Sequence, residues 1–328
     1  MNLLEKIILK IIKHKLVNLF NLEKSLSKET KNVYKHNEIS PAKNWPDLEK
    51  VTSGNEIPFS LKNIATVGHH LKSCVSQGIM SIESVRKNPK ESKTHISTEE
   101  LKEFEKSAKS IGIEVVGYTI LPNDLIFKER ALLFNHAIVL IMEMNREKIL
   151  KAPSKETFKM VMETYDKLGT ITNKLSSKLQ QMGFKSQASH PLGGLVLYPP
   201  LAVRAGLGYY GTHGLLITPE FGPRQRISAI FTNIENLPIN KENNHLWVSD
   251  FCAKCKICVK TCPSNAIYDS PLETTPIRKT CINREKCLPV FVKENGCSVC
   301  IKNCMFTQKT YSELYKTHKN NQQINYIL

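Results

Sequence analysis

A chain of 328 residues with 41% hydrophobic content can bury one large core and a smaller one, which excludes a mostly disordered protein. The formal charge of +16 points to an anionic partner such as nucleic acid, an acidic membrane surface, a phosphate-bearing cofactor or an acidic electron donor. Charge alone does not choose among them. No charged n-region, apolar core and small-residue cleavage site open the chain, so a reducing, cytoplasmic setting is expected and disulfides are not.

In chain order, Leu3, Leu4, Ile7, Ile8, Ile11, Ile12, Leu16 and Leu19 recur near helical spacing, with Lys6, Lys10, Lys13 and Lys15 between them. This predicts a basic amphipathic helix, too interrupted by charge to span a bilayer. It either packs on its own protein or makes peripheral contact with an anionic membrane. Polar sequence from Ser25 to Asn55, with Pro41 and Pro46, reads as a linker, so 1–56 is expected to be a helix and arm.

From 57 to 245, short apolar runs alternate with helical stretches, which predicts α/β construction. Glu99 to Ile111 is a helix candidate capped by Ser97 or Thr98. Ile113 to Thr119 is β-like, as is Ala137 to Met142, whose run AIVLIM suits a strand buried on both faces. Thr157 to Met182 reads as a long helix stopped at Gly183, and Ile227 to Thr232 as a further strand.

Nine of the ten cysteines lie from Cys252 onward. That clustering favours metal over a disulfide framework. Cys252, Cys255, Cys258 and Cys262, followed by Pro263, give C-x2-C-x2-C-x3-C-P, the spacing of bacterial ferredoxins. Three closely spaced thiolates wrap three corners of a 4Fe-4S cubane while the fourth serves the neighbouring cluster. A zinc tetrahedron would be overcrowded by such a run.

Cys297, Cys300 and Cys304 form a second motif, one cysteine short, with Met305 where a proline usually follows. Two cubanes need eight thiolates, so one more must come from Cys281 or Cys287. Cys287 is preferred because CLPVFVKENGC can form one loop over the cluster. The expected sets are Cys252, Cys255, Cys258 and Cys304 for one cluster, and Cys262, Cys287, Cys297 and Cys300 for the other. Cys74, far from the rest, is expected to be a buried free thiol.

Gly206, Gly208, Gly211 and Gly214, in RAGLGYYGTHGLLITPEFGPRQR, would let backbone approach a bulky ligand and expose N–H groups to anionic oxygens. The first three satisfy G-x-G-x-x-G, but Pro199 and Pro200 disrupt any strand before them, so a Rossmann site is not expected.

Taken with both cysteine motifs, Ala205-Gly-Leu-Gly208, Gly211, Gly214-Leu-Leu-Ile217, Glu220, Gly222 and the strand ending Phe231-Thr232 resemble the cobalamin-dependent reductases, namely the epoxyqueuosine reductases and reductive dehalogenases. ITPEFGPR looks closer to the dehalogenase version. The resemblance implies an α+β protein: a nitroreductase-like α/β corrinoid-binding domain (57–245), a ferredoxin-like double 4Fe-4S domain (246–310) and a C-terminal tail (311–328). The implied cofactors are two 4Fe-4S clusters and a cobalamin without a protein cobalt ligand, and no D-x-H-x-x-G sequence supplies one here.

Epoxyqueuosine reductases carry an acidic proton donor where this chain has Leu192. His190 and Tyr198 are the catalytic candidates in its place, with Tyr209 and Tyr210 as further options. The implied partners are a low-potential ferredoxin- or flavodoxin-type electron donor and a small-molecule or modified-nucleoside substrate. The leading expectation is an oxidoreductase whose clusters pass single electrons to cobalt. The alternative is an electron-transfer or corrinoid-reactivating protein without its own substrate. A nucleic-acid binder ranks last, since no recognised module interleaves aromatic and basic residues.

Overall fold

The computed structural model describes residues 34–35, 61–127, 130–240, 242–275 and 278–325. The N-terminal amphipathic helix and all of the arm but Tyr34–Lys35 lie outside them. In chain order the elements are β1 (Tyr34–Lys35), α1 (Leu61–Glu83), α2 (Thr98–Ser110), β2 (Val115–Ile120), β3 (Ala131–Leu132) and β4 (His136–Glu143). Then come α3 (Arg146–Leu150), α4 (Lys155–Gln181), β5 (Ser186–Ser189), α5 (Tyr198–Arg204), β6 (Tyr209–Tyr210), β7 (Leu216–Ile217) and β8 (Gln225–Thr232). The last part holds α6 (Trp247–Cys255), α7 (Ile257–Lys260), β9 (Ile267–Thr275), β10 (Arg278–Ile282), α8 (Arg284–Lys293), α9 (Val299–Lys302), α10 (Met305–Gln308) and α11 (Tyr311–Asn325). No helix among the described residues is long and apolar enough to cross a membrane.

The chain divides into two compact units, and the division is not linear. The first takes the chain up to Met142, Val161–Leu201 and Arg226–Ile239. Its four-stranded sheet runs β2-β4-β8-β5, with β2 antiparallel to β4 and β5 antiparallel to β8. Ala137 to Ile141 are wholly buried, as the unbroken apolar run required. On α4, Leu168, Ile171, Leu175 and Leu179 recur at helical spacing and pack with Ile138, Leu140, Met142 and Ile230 in one core. Each such side chain contributes about 1.5–3 kcal/mol. Ser97 starts α2 with a capping box: its hydroxyl accepts the Glu100 N–H while the Glu100 carboxylate accepts the Ser97 N–H. Gly183, at φ +90°, ends the turn after α4. Tyr34–Lys35, expected as linker, pairs antiparallel with β3.

The second unit gathers Glu143–Met160, Ala202–Gln225 and Asn240 onward. The boundary expected at 245/246 is therefore corrected, because side chains and backbone tie the earlier segments to the cysteine region. Arg224 Nη1 donates to Glu143 Oε1 at 2.5 Å, and the Met144 N–H donates to the Arg224 carbonyl at 2.8 Å. Arg146 Nε donates to the Thr307 carbonyl and Lys302 Nζ to the Ala152 carbonyl. The segment expected as a tail is the helix α11, whose Leu314 is buried with Ile217, Val248, Cys252, Cys304 and Phe306. Tyr311 shares a 2.7 Å hydrogen bond with His245.

Candidate metal centre

The two cysteine motifs fold alike. Cys255-x2-Cys258-x3-Cys262 and Cys297-x2-Cys300-x3-Cys304 superimpose in sequence, and the residue after the first cysteine of each is left-handed: Lys256 at φ 49° and Ser298 at φ 63°. A short helix follows in both, α7 and α9. The left-handed residue reverses the chain within one turn. Its cost, about 1–2 kcal/mol for a residue bearing a Cβ, is evidence that the turn matters. The Lys256 N–H closes it on the Cys252 carbonyl at 3.2 Å.

The structure brings Cys252, Cys255, Cys258 and Cys304 around one recess, with Thr212, His213, Phe251 and Phe306. Three of the four thiols are buried. Burial pushes the Cys252 thiol up to about 12 and Cys258 to about 11, and lifts Cys304 well above its ordinary value. Cys304 also feels the charge of Cys252, Cys258 and Cys255.

The other thiols influence one another as well. Cys300 is pushed up to about 12 by burial and then by Cys297, Cys258, Cys287 and Cys262, so it also feels a thiol of the first recess. Cys287 and Cys297 are each raised, first by burial and then by Cys262. Burial alone would raise Cys262, but hydrogen bonds from Ser264 and the Ala266 N–H bring it below its ordinary value. Cys281 lies elsewhere, against Gly214: a Cβ on that glycine would fall 2.9 Å from the Cys281 Cβ. Four soft donors in each of two groups, most of them raised thiols that only a cation would hold as thiolates, fit iron-sulfur clusters.

Sequence reasoning missed Thr212 and His213 as parts of this centre. Their backbones act against burial, drawing the Cys252 and Cys258 thiols down respectively. The Thr212 hydroxyl donates to the Cys252 carbonyl at 3.1 Å. The signal was their place between Gly211 and Gly214, where the chain can turn its amides outward.

The four glycines are accounted for by the chain's own packing. Gly206, at φ +71°, closes α5: the Leu207 N–H reaches the Ala202 carbonyl and the Gly206 N–H the Val203 carbonyl, a Schellman end. A Cβ on Gly208 would fall 2.9 Å from the Ile217 carbonyl carbon and closer still to its oxygen. One on Gly211 would meet His213 Cε1 at 2.6 Å, and Gly214 faces Cys281. Gly206 alone borders an open pocket, of about 350 Å³, with Asn240, Glu242, Asn244 and His245. The glycine run does not by itself form a corrin cradle. As expected, a helix (α5) and not a strand precedes it, with Pro199 and Pro200 in the first turn.

Both catalytic candidates lie in the first unit. The Tyr198 hydroxyl is committed to the Ser189 carbonyl at 2.9 Å and the His190 carbonyl at 2.8 Å, and is 2.7 Å from Ser189 Oγ. Burial holds its pKa above the usual range. His190 is 4% exposed; its Nδ1 lies 3.0 Å from both the Leu192 N–H nitrogen and the Leu192 carbonyl oxygen, and its Nε2 has no hydrogen-bond partner among the described residues. Burial lowers its pKa to about 4. Gly169 of α4 makes room for the ring, since a Cβ there would fall 3.0 Å or less from three ring atoms. Tyr209 and Tyr210 are half-buried and stack edge-on at 5.4 Å. Cys74, in α1, is buried with its thiol pushed up to about 12 by burial.

Fold and site thus define a mixed helix and sheet body carrying a 4Fe-4S binding domain, and the family model of that domain matches residues 245–268. The chain is similar to reductive dehalogenases and epoxyqueuosine reductases. The tetrachloroethene reductive dehalogenase of Dehalobacter restrictus is 33% identical over 160 residues, 48% of this chain and 27% of that protein. The epoxyqueuosine reductase of Francisella cf. novicida is 27% identical over 148 residues, 45% of this chain and 36% of its own length. A solved reductive dehalogenase shares the fold with a TM-score of 0.59 at 16% identity, over 77% of this chain and 40% of that chain. The chain spans about a quarter to a third of the length of these curated relatives.

Proposed function

We propose that this chain is an iron-sulfur oxidoreductase in which two 4Fe-4S clusters deliver single electrons to a corrinoid-dependent reduction. The observation that supports it is the recess lined by Cys252, Cys255, Cys258 and Cys304, with Cys262, Cys287, Cys297 and Cys300 close enough to feel one another's charge. The solved relative is described as performing B12-dependent dehalogenation, which supplies the corrinoid and the substrate class, a halogenated small molecule. The epoxyqueuosine relatives supply the other class, a modified nucleoside. A low-potential ferredoxin or flavodoxin is the matching donor.

A bound cluster supplies reversible one-electron storage. The protein's part is to hold it. Buried Cys252, Cys258 and Cys304 exclude water from one cluster, while the Thr212 and His213 amides place partial positive charge against Cys252 and Cys258. In the first unit, His190 keeps a buried ring nitrogen, Nε2, without a hydrogen-bond partner among the described residues, where Tyr198 has committed its hydroxyl to two carbonyls.

A second reading has its own observation. Gly208, Gly211 and Gly214 face protein atoms rather than an open cradle, which suits an electron-transfer or corrinoid-reactivating protein without a substrate of its own. Anaerobic reconstitution with iron, sulfide and cobalamin, followed by metal analysis and desalting, separates the two. About eight irons and retained cobalt support the reductase. Eight irons without cobalt favour the second reading, and stoichiometric zinc overturns both.

A further inference from the structure

We infer that His213 donates its Nε2–H to the cluster held by Cys252, Cys255, Cys258 and Cys304, and so sets that cluster's reduction potential. The inference rests on the reading that these four thiols bind a cluster. His213 lies outside both cysteine motifs, in the turn between β6 and β7, and it is 1% exposed. His213 lines the same recess as the four thiols.

The tautomer follows from one bond. The Leu215 N–H donates to Nδ1 at 3.1 Å, so Nδ1 must carry a lone pair and the proton of the neutral ring sits on Nε2. Yet Nε2 is buried and has no hydrogen-bond partner among the described residues. A buried donor left unsatisfied costs about 1–3 kcal/mol. An acceptor belongs at that position, and the side chains that share the recess offer only sulfur and apolar carbon apart from Thr212 and Lys256. Thr212 Oγ1 donates to the Cys252 carbonyl and makes no bond with Nε2, and the Lys256 ammonium accepts nothing. The chemistry that fits is the electron-rich sulfur of a cubane. An N–H···S bond favours the reduced, more negative state and raises the potential.

Gly211 supports the arrangement from behind. A Cβ there would strike the His213 ring at Cε1 and Nδ1, so the glycine preserves the space that the imidazole occupies. His213 is a positioning and tuning residue in this account, not a catalytic one.

The test uses the reconstituted full chain. His213→Phe keeps an aromatic ring and removes both nitrogens, whereas His213→Gln keeps an N–H donor at the reach of Nε2. In an EPR-monitored redox titration, His213→Phe should retain its iron and shift one cluster to a more negative potential, with the other unmoved, and His213→Gln should return part of the shift. Full iron with unchanged potentials in His213→Phe, or equal shifts in both variants, overturns the inference. Should the variants lose iron, wild-type protein decides the matter. With histidine ¹⁵N-labelled in the imidazole alone, pulsed EPR of the reduced protein should show a nitrogen coupled to the cluster spin, and its absence at full iron content sinks the assignment. Failure of the four-thiol reading shows differently, as low iron in the wild type itself.

Discussion

Gly208 lies so close to Ile217 that no side chain fits between them: a Cβ on the glycine would fall 3.2 Å from the Thr218 Cα and 2.9 Å from the Ile217 carbonyl carbon. The atom in the way is backbone and cannot rotate aside. Gly208→Ala should therefore destabilise the protein by on the order of 1–3 kcal/mol. The decisive expectation is that iron content and thermal midpoint fall together, whether or not cobalamin is present. A variant that kept iron and melting temperature while losing cobalamin would return Gly208 to a ligand-facing role.

Cys287 and Cys281 make the sharpest comparison in the metal centre. Cys287 feels the charge of Cys262 and Cys297, whereas Cys281 lies against Gly214. Cys287→Ala should cost about one cluster of the two, roughly half the iron after anaerobic reconstitution. Cys281→Ala should leave the iron near the wild-type level. The reverse ranking in iron and acid-labile sulfide analysis would move the fourth ligand to Cys281.

Asn243 ties the glycine-rich turn together. Its Nδ2 donates to the Val203 carbonyl at 2.7 Å and the Gly208 carbonyl at 3.0 Å, while its Oδ1 accepts the His245 N–H at 2.9 Å. Asn243→Ala leaves the Gly208 carbonyl and the His245 N–H without the partners it gave them, the Val203 carbonyl keeping the Gly206 N–H, and should cost about 1–3 kcal/mol in urea unfolding. Asn243→Asp should cost a similar amount, because a carboxylate accepts but cannot donate to carbonyls. Near-wild-type unfolding in either variant would show that water replaces the bonds.

Buried His190 gives the stability a pH dependence of predictable sign. Its pKa falls from the ordinary 6.5 to about 4 in the folded protein, burial being the largest cause. The unfolded chain therefore binds a proton that the folded chain does not. This contribution is fully present above 6.5 and is lost as pH falls towards about 4. The slope approaches about 1.4 kcal/mol per pH unit at most. Replacing His190 by Gln should flatten unfolding free energy against pH across that window. Parallel curves for the two proteins would mean that the imidazole is solvated.

Periodicity made the first unit legible: the buried stripe of α4 and the apolar run of β4 each have a spacing that only one kind of element satisfies. The capping box of α2 was written in Ser97 and Glu100. The 4Fe-4S binding domain was also legible, since ligand spacing is a property of the local chain. What surrounds them was not. That Thr212 and His213 turn their amides towards Cys252 and Cys258 depends on pairing across some forty residues, and no local pattern encodes it. The glycines misled for a related reason. Small size at Gly208 and Gly211 reports that something is near without saying whether it is a ligand, Ile217 or His213.

The interleaved path of the second unit has a consequence for the order of events at synthesis. Arg146 finds the Thr307 carbonyl across 161 residues and Lys302 finds the Ala152 carbonyl across 150. Closures of such separation come late, because loop entropy must be lost before the contact repays it. The segment Glu143–Met160 therefore leaves the ribosome long before its partners Lys302 and Thr307 exist. Thiols that are buried in the finished protein are exposed and oxidisable until α11 has docked Leu314 over Cys252 and Cys304. Production of intact protein should for this reason depend more on how fast iron arrives than on how tightly it is finally held.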